Sequence, residues 1–291
     1  MKTLKMLVKE KMVGLALAIG LLTFVATSCT EDKVDADTTL EDQESVQLDN
    51  MDEYYLEDAD NLVSNVLEQE SGSTGGKIAT DDEEDSRLVC AEITRTGTEE
   101  SGTIIIDFGD GCEDKRGNIR TGKIIVEFSG RWFLPGSFWS IEFVNYTING
   151  VSISGIRRVN NISESEDSLV FEIKMEATII WPDGTEVTRK IHRKRHRELH
   201  DNNILDRLIA YATEDINHPK GRGFSVEILE PLVYSEACAE EGVIIPVEGV
   251  KLIKFGNGRR QLTVDYGDGT CDNVVAITNK DGRTWRYEVG K

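Results

Sequence analysis

The sequence has few basic residues for the number of acidic ones. Its 291 residues include 33 lysines and arginines against 53 aspartates and glutamates, a formal net charge of −20. Phosphate groups would repel such a chain, so we expect no nucleic-acid partner. The sequence also lacks a nucleophile elbow, a zincin helix and a Cys-x-x-Cys pair. These absences favour a non-enzymatic protein with no metal and no cofactor.

The chain also lacks an apolar run long enough to span a bilayer, which takes about 20 residues. Its longest uncharged run, from Met12 to Val25, follows four lysines and ends at Ala26-Thr27-Ser28-Cys29. A short apolar core after a basic start is typical of a signal peptide. The small residues before Cys29 resemble a lipobox, in which the cysteine is lipidated. We therefore predict a signal peptide over 1–28 and a lipid on Cys29; the alternative is an ordinary signal peptide beside an incidental cysteine.

The residues directly after Cys29 predict where the anchored protein faces. Thr30-Glu31-Asp32-Lys33 resembles the acidic surface-export signal of Bacteroidetes lipoproteins. The resemblance implies attachment to the outer membrane, with the protein facing the cell surface. The lipid anchor thus makes the membrane itself a partner.

The negative charge is concentrated near the N-terminus. Residues 30–87 hold twenty acidic residues against three basic ones, a net charge of −17, whereas 88–291 carry only −6. A segment of this composition buries too little apolar surface to fold alone, so we predict an acidic, solvated tether over 29–87. Within it, apolar residues at helical spacing predict an amphipathic helix over 48–69. That helix is interpreted as a spacer, with partner docking as the alternative.

From residue 88 onward the pattern changes to period two. Apolar and polar residues alternate over 171–176 and 151–154, and turn dipeptides punctuate such runs at Asn149-Gly150, Asp183-Gly184, Asn257-Gly258 and Asp281-Gly282. The pattern predicts an all-β domain over 88–291, an antiparallel meander of hairpins that is either barrel-like or a sandwich. The segment 204–212 fits both a helix and a strand, and the turn that follows it favours a strand.

Two stretches of this domain resemble each other. In each, a cysteine precedes an apolar strand, an Asp-aromatic-Gly-Asp-Gly sequence follows, and a second cysteine closes the unit. The four cysteines left after lipidation of Cys29 allow three pairings in an oxidising compartment. The repetition selects Cys90–Cys112 and Cys238–Cys271. A four-cysteine metal site is the rival, which the spacing disfavours.

The paired aspartates of these units allow several interpretations. Asp107 and Asp110 in the first unit, and Asp265 and Asp268 in the second, could form loose calcium loops, although they lack EF-hand spacing. They also resemble the Asp-Phe-Gly-Asp-Gly signature of polycystic-kidney-disease repeats, but the rest of that signature does not follow. We favour a plain turn, in which glycines supply positive φ and the aromatic residue packs inward.

Taken together, these motifs resemble those of uncharacterised Bacteroidetes-type surface lipoproteins. The likeness rests on the lipobox, the acidic leader and the paired Asp-(Phe/Tyr)-Gly-x-Gly…Cys units at both ends of a β domain. The likeness implies a cellular location and a fold, and it implies no activity.

Two clusters are candidates for ligand binding. Four aromatic residues surround Pro135-Gly136, namely Trp132, Phe133, Phe138 and Trp139. If exposed they would form a sugar-stacking platform, and if buried they belong to the core, which we favour. His192, His196 and His200 lie among arginines and lysines, which predicts a solvated basic strand over a metal site.

These observations favour a cell-surface binding or scaffold module whose partner is a glycan or another envelope protein. The rival is an envelope glycan hydrolase, which would need two carboxyl groups about 5 to 9 Å apart in a deep cleft.

Overall fold

A computed structural model describes residues 40–69, 76–77, 85–165, 169–198, 207–217, 223–256, 258 and 260–289. The predicted signal peptide and Cys29 lie outside this range. So do residues 78–84 of the predicted tether and His200. No helix in the part of the chain that the structure describes is long and apolar enough to cross a membrane.

The described residues form one antiparallel sheet of fourteen strands, in which each strand pairs with its neighbours in sequence. The strands are β1 (Gly76–Lys77), β2 (Glu92–Gly97), β3 (Ser101–Glu113), β4 (Ile119–Ser129), β5 (Phe138–Ile148), β6 (Val151–Asn161), β7 (Leu169–Ile180), β8 (Glu186–Glu198), β9 (Arg207–Asn217), β10 (Phe224–Ser235), β11 (Glu248–Phe255), β12 (Arg260–Asp268), β13 (Val274–Asn279) and β14 (Thr284–Glu288). Two helices complete the described fold, α1 (Leu40–Gln69) and α2 (Glu236–Glu240). The predicted antiparallel meander is confirmed.

The sheet neither divides into two sheets nor closes on itself within the described residues. Its first and last described strands, β1 and β14, pair only with β2 and β13. The hairpins form where the turn dipeptides predict them, and Asn257 of the predicted Asn257-Gly258 turn itself lies outside the described residues. At the β5–β6 turn, Asn149 and Gly150 both adopt positive φ, 51° and 80°, as a two-residue hairpin of this type requires. Of the segment 204–212 that fitted both a helix and a strand, residues 207–212 belong to β9, and 204–206 lie outside the described residues.

The sheet wraps around α1, which belongs to the same compact unit. One hydrophobic cluster joins Leu56, Leu62 and Val63 of the helix to strands β2 to β8, and a second joins Val46 to β8 to β14. The expectation of a solvated tether is therefore wrong for residues 40–69. The predicted helix exists and is longer than predicted, but it forms the centre of the domain.

The two cysteine units form as predicted, with disulfides Cys90–Cys112 and Cys238–Cys271. The Asp-aromatic-Gly-Asp-Gly sequence is not a turn in the first unit, where it lies inside β3 as a bulge. In both units the first aspartate accepts a hydrogen bond from the backbone amide two residues on, at Gly109 and Gly267, each 2.9 Å long. The intervening Phe108 and Tyr266 are buried, as predicted.

Candidate functional site

Helix α1 carries ten acidic residues and no basic one, yet most of its residues from Ser45 to Leu67 are buried. Four of its carboxylates recur every three or four residues, at Asp49, Glu53, Glu57 and Asp60, and so share one face of the helix. The sheet presents five buried cations to this face, Arg157 on β6, Arg189, Arg193 and Arg195 on β8, and Lys251 on β11. The acidic helix is thus buried by charge pairing as well as by apolar packing.

The ion pairs along this face form a continuous chain. They are Lys251–Asp49 (2.7 Å), Arg189–Asp49 (3.2 Å), Arg189–Glu53 (3.4 Å), Arg193–Glu53 (2.7 Å), Arg193–Glu57 (2.8 Å), Arg195–Asp60 (3.5 Å), Arg195–Glu57 and Arg157–Asp60. On another side of the helix, Asp58 accepts from Arg120 at 2.7 Å and from Arg87 at 3.0 Å. Each of these paired charges therefore has a partner of opposite sign, which is the condition for tolerating a buried charge.

The alternation of side chains along β8 explains why its arginines face the helix. Val187, Ile191 and three arginines occupy inward positions, whereas Lys190, His192 and Lys194 point outward. The predicted solvated basic strand is therefore correct for only one face of β8. His192 is exposed and meets Glu172 at 2.9 Å (Nε2–Oε1).

The pKa values of the helix carboxyls differ from one end of this series of ion pairs to the other. Burial opposes the ionisation of Glu53, but attraction from Arg193 and Arg189 outweighs it and holds the pKa well below 4.5. Burial raises the pKa of Glu57 to about 7 against the attraction of Arg195, and it also raises the pKa of Asp60. The chain of ion pairs thus ends in two carboxyls that resist ionisation.

A cavity of about 90 Å³ lies beside that end of the chain. One water needs roughly 10–15 Å³, so the space admits a molecule of several heavy atoms. The last turns of α1 form one side, and β5 to β8 together with the β10–α2 segment form the others. The lining residues are Glu57, Asp60, Asn61, Ser64, Leu67, Glu68, Trp132, Trp139, Ile141, Arg157, Val159, Phe171, Ile173, Arg195, Arg197, Tyr234, Ser235, Glu236, Ala239, Val243 and Ile244.

Aromatic rings form much of the apolar wall. Phe171 packs between Trp139, at 5.5 Å between ring centroids, and Trp132, at 6.5 Å. Two guanidinium groups cover ring faces, Arg197 over Trp132 at 5.2 Å and Arg195 over Tyr234 at 5.4 Å. An apolar wall with a few fixed polar groups is the usual composition of a small-molecule site.

A polar cleft of about 430 Å³ adjoins the cavity and shares six lining residues with it. The two disulfide units flank this cleft. Asp85 and Arg87 lie just before Cys90, Arg116 follows Cys112, and α2 contains Cys238. Arg116 connects the units, because its Nη2 donates to the Glu240 carbonyl at 2.8 Å. The repeated units therefore frame the approach to the cavity.

The four predicted aromatic residues do not form one exposed platform. Trp132 and Trp139 line the cavity, and Trp139 is 7% exposed. Phe133 is partly buried against the core. Phe138 is 47% exposed and lies on the opposite face of β5 from Trp139. The structure thus brings two of the four to the candidate site.

Three of the four aspartates considered for calcium, Asp107, Asp265 and Asp268, are held by protein groups. Asp107 meets Lys123 at 2.6 Å (Oδ2–Nζ), and that contact together with the Gly109 amide lowers its pKa. Asp268 accepts from the Thr270 hydroxyl at 2.9 Å. Across the described ranges, no three His, Cys, Asp or Glu residues are grouped as a metal site requires.

The sequence interpretation missed Arg157, Phe171, Glu57 and Asp60 as site residues. A signal for the two acids was present, since four carboxylates at helical spacing match the arginines at alternate positions of β8. Searches of protein-family models, curated proteins and solved structures found no match to this chain.

Proposed function

We propose that this chain is a non-enzymatic binding module that takes a small amphipathic molecule into the cavity beside α1. The proposal rests on the cavity. Its aromatic wall would hold the apolar part of such a ligand, and its fixed polar end would hold the polar part. The adjoining polar cleft would let the ligand enter the cavity from the solvent. An apolar cavity suits a small molecule better than the glycan or envelope protein considered from the sequence.

Glycan hydrolysis is less well supported. Glu57 and Asp60 line the cavity, and the raised pKa of Glu57 would suit a general acid. Both carboxylates, however, are bound to Arg195, and Asp60 is also bound to Arg157. A catalytic acid and its partner need lone pairs or protons free for the substrate, and these are committed to guanidinium groups.

The test is a screen of small amphipathic molecules against the purified protein by ligand-observed NMR. We expect binders to the parent chain and a loss of binding in Val159→Phe, since Val159 is buried in the cavity wall. Ile156→Phe is the matched control, because Ile156 lies on the same strand but is 48% exposed. The proposal fails if no molecule binds, or if a folded Val159→Phe protein binds as well as the control.

We further propose that the module is displayed at the outer membrane by a lipid on Cys29. The lipobox-like junction and the acidic residues after it support this, and the two disulfides fit an oxidising compartment. Replacing Cys29 by Ser should abolish palmitate labelling and release the protein from membranes. Unchanged labelling would contradict the anchor.

A further inference from the structure

The polar cleft that adjoins the cavity is the larger of the two spaces, at about 430 Å³ against about 90 Å³. Four polar residues line both of them, namely Asn61, Glu68, Arg197 and Glu236. Since one water takes roughly 10–15 Å³ on this scale, the cavity has room for a short apolar group of a few heavy atoms, and the cleft has room for a group as large as a sugar ring. A ligand whose apolar part lies in the cavity therefore extends its polar part into the cleft.

The charged residues of the cleft are of both signs. Its lining includes four acidic residues and three arginines. Asp85 is bound to Arg87, and Glu68 is bound to Arg197. A charged ligand group would compete with these partners and would also meet charges of its own sign. The cleft therefore favours a neutral polar group over an anion or a cation.

A row of amide side chains follows one face of α1 along the cleft. Asn61, Asn65 and Gln69 recur every fourth residue, so each step along the row is about 6 Å. Asn61 Oδ1 accepts from Arg87 at 2.7 Å, and Asn65 Nδ2 donates to Asp85 at 3.0 Å. Among the described residues, Asn61 Nδ2, Asn65 Oδ1 and both amide atoms of Gln69 have no further partner. Asn61 and Asn65 are half-buried and Gln69 is exposed, so a ligand in the cleft reaches this row from the solvent.

These free groups include both donors and acceptors. An amide nitrogen donates and an amide oxygen accepts, and the hydroxyl of Ser86, which also lines the cleft, does both. A sugar hydroxyl likewise donates and accepts, so a ring with several hydroxyls can pair with donors and acceptors at successive positions of the row. A carboxylate would leave the acceptors unpaired, and an ammonium group would leave the donors unpaired. The arrangement therefore favours a polar part with several hydroxyl groups.

We propose that the site selects a small glycoside, whose sugar lies in the cleft and whose short apolar aglycone lies in the cavity. The sugar hydroxyls bond to the free amide groups of Asn61, Asn65 and Gln69, and the aglycone packs on Trp139 and Phe171. This selectivity rests on the proposed binding function and names the chemical class of its ligand. The aglycone distinguishes such a ligand from a free sugar, which has no part that suits the aromatic wall.

The experiment compares small molecules that share a short apolar tail, by NMR titration of the isotope-labelled purified protein. The probes are the butyl glycosides of glucose, galactose, mannose and N-acetylglucosamine, and the comparison molecules are 1-butanol, pentanoate and butylamine. We expect at least one glycoside to bind about tenfold or more tightly than every comparison molecule, because each hydrogen bond to the sugar is worth about two- to tenfold in affinity.

The outcomes separate the ligand class from the proposed function. A comparison molecule that binds within about tenfold of the best glycoside overturns the selectivity and leaves the proposed function standing. Glycosides that all fail to bind, while other molecules of the wider screen do bind, overturn the selectivity as well. If no molecule of either set binds, the proposed function itself fails.

A double variant tests the placement of the sugar. Gln69→Ala together with Ser86→Ala removes two groups of the cleft that have no partner among the described residues, so the fold should be retained. We expect the best glycoside to lose at least about fivefold in affinity, with the binding of 1-butanol unchanged. Gln47→Ala is the matched control, because Gln47 is an exposed glutamine of the same helix that lines neither space. Glycoside binding equal to that of the control, or an equal loss for glycoside and alcohol, overturns the placement.

Discussion

Arg193 of β8 and Glu53 of α1 form a 2.7 Å salt bridge (Nη1–Oε1) whose side chains are 3% and 5% exposed. The Tyr234 hydroxyl donates to the same carboxylate oxygen at 2.9 Å. The two charged residues are 140 positions apart in the chain. A long-range ion pair therefore fixes the helix within the sheet.

Removing one partner of this pair should be strongly destabilising. Arg193→Met removes one of the two cations that Glu53 and Glu57 each bind, and breaking a buried pair in this way costs about 3–5 kcal/mol. Lys190→Met is the matched control, because Lys190 lies on the same strand in an exposed pair with Glu176. Exposed pairs contribute about 0–1 kcal/mol. Urea unfolding of both variants measures the difference, and equal losses would contradict the role of the buried network.

Stability should fall as the pH rises toward neutrality because of Asp52. Burial raises its pKa from 3.8 to about 7, against the attraction of Arg189. Its folded pKa exceeds its unfolded pKa, so the stability it contributes is complete below pH 4 and is lost as the pH rises through 7. Asp52→Asn removes this dependence and keeps the oxygen that accepts from Trp181 Nε1 at 3.1 Å.

The measurement is the free energy of unfolding of parent and variant at pH 5 and pH 8. The advantage of Asp52→Asn should be about 3 kcal/mol larger at pH 8, from roughly 1.4 kcal/mol per pH unit below the folded pKa. Asp281→Asn, in an exposed turn, serves as the control. An advantage that does not grow with pH would show that Asp52 is ionised in the folded protein.

The all-β domain should not fold without α1. A protein that begins at Leu88 keeps Arg120, Arg157, Arg189, Arg193 and Lys251 but lacks the helix carboxylates that they bind. We expect it to show no cooperative thermal unfolding, because unpaired buried cations cost several kcal/mol each. A synthetic peptide of residues 40–87 should restore the transition. The same peptide with Glu53→Gln and Glu57→Gln should restore it less, and cooperative unfolding without any peptide would refute the dependence.

The two disulfides should each stabilise the fold by about 3 kcal/mol, since they close loops of 22 and 33 residues. Replacing both Cys238 and Cys271 by Ala should also weaken ligand binding, because α2 frames the cleft. Non-reducing peptide mapping should recover only Cys90–Cys112 and Cys238–Cys271. A crossed pair, such as Cys90 with Cys271, would be incompatible with this sheet.

Local patterns in the sequence determined much of the fold. Strand alternation, the turn dipeptides and the repeated cysteine units each act over a few residues or within one closed loop. They predicted the antiparallel meander, its described hairpins and both disulfides. The Asp-aromatic-Gly-Asp-Gly sequence was less informative, since its short-range hydrogen bond occurs both in the bulge of β3 and at the end of β12.

Only the tertiary structure decided the position of α1 and the existence of the cavity. Ten acids in one helix indicate solvation unless cations elsewhere in the chain offset the cost of burying them. Those cations lie on strands far away in sequence, and residues such as Arg193 and Glu53 meet only when the sheet wraps around the helix. The cavity is likewise formed by side chains from α1, five strands and α2. No single segment of the sequence therefore predicts it. Local preference thus specified the strands, and long-range pairing of opposite charges specified what they enclose.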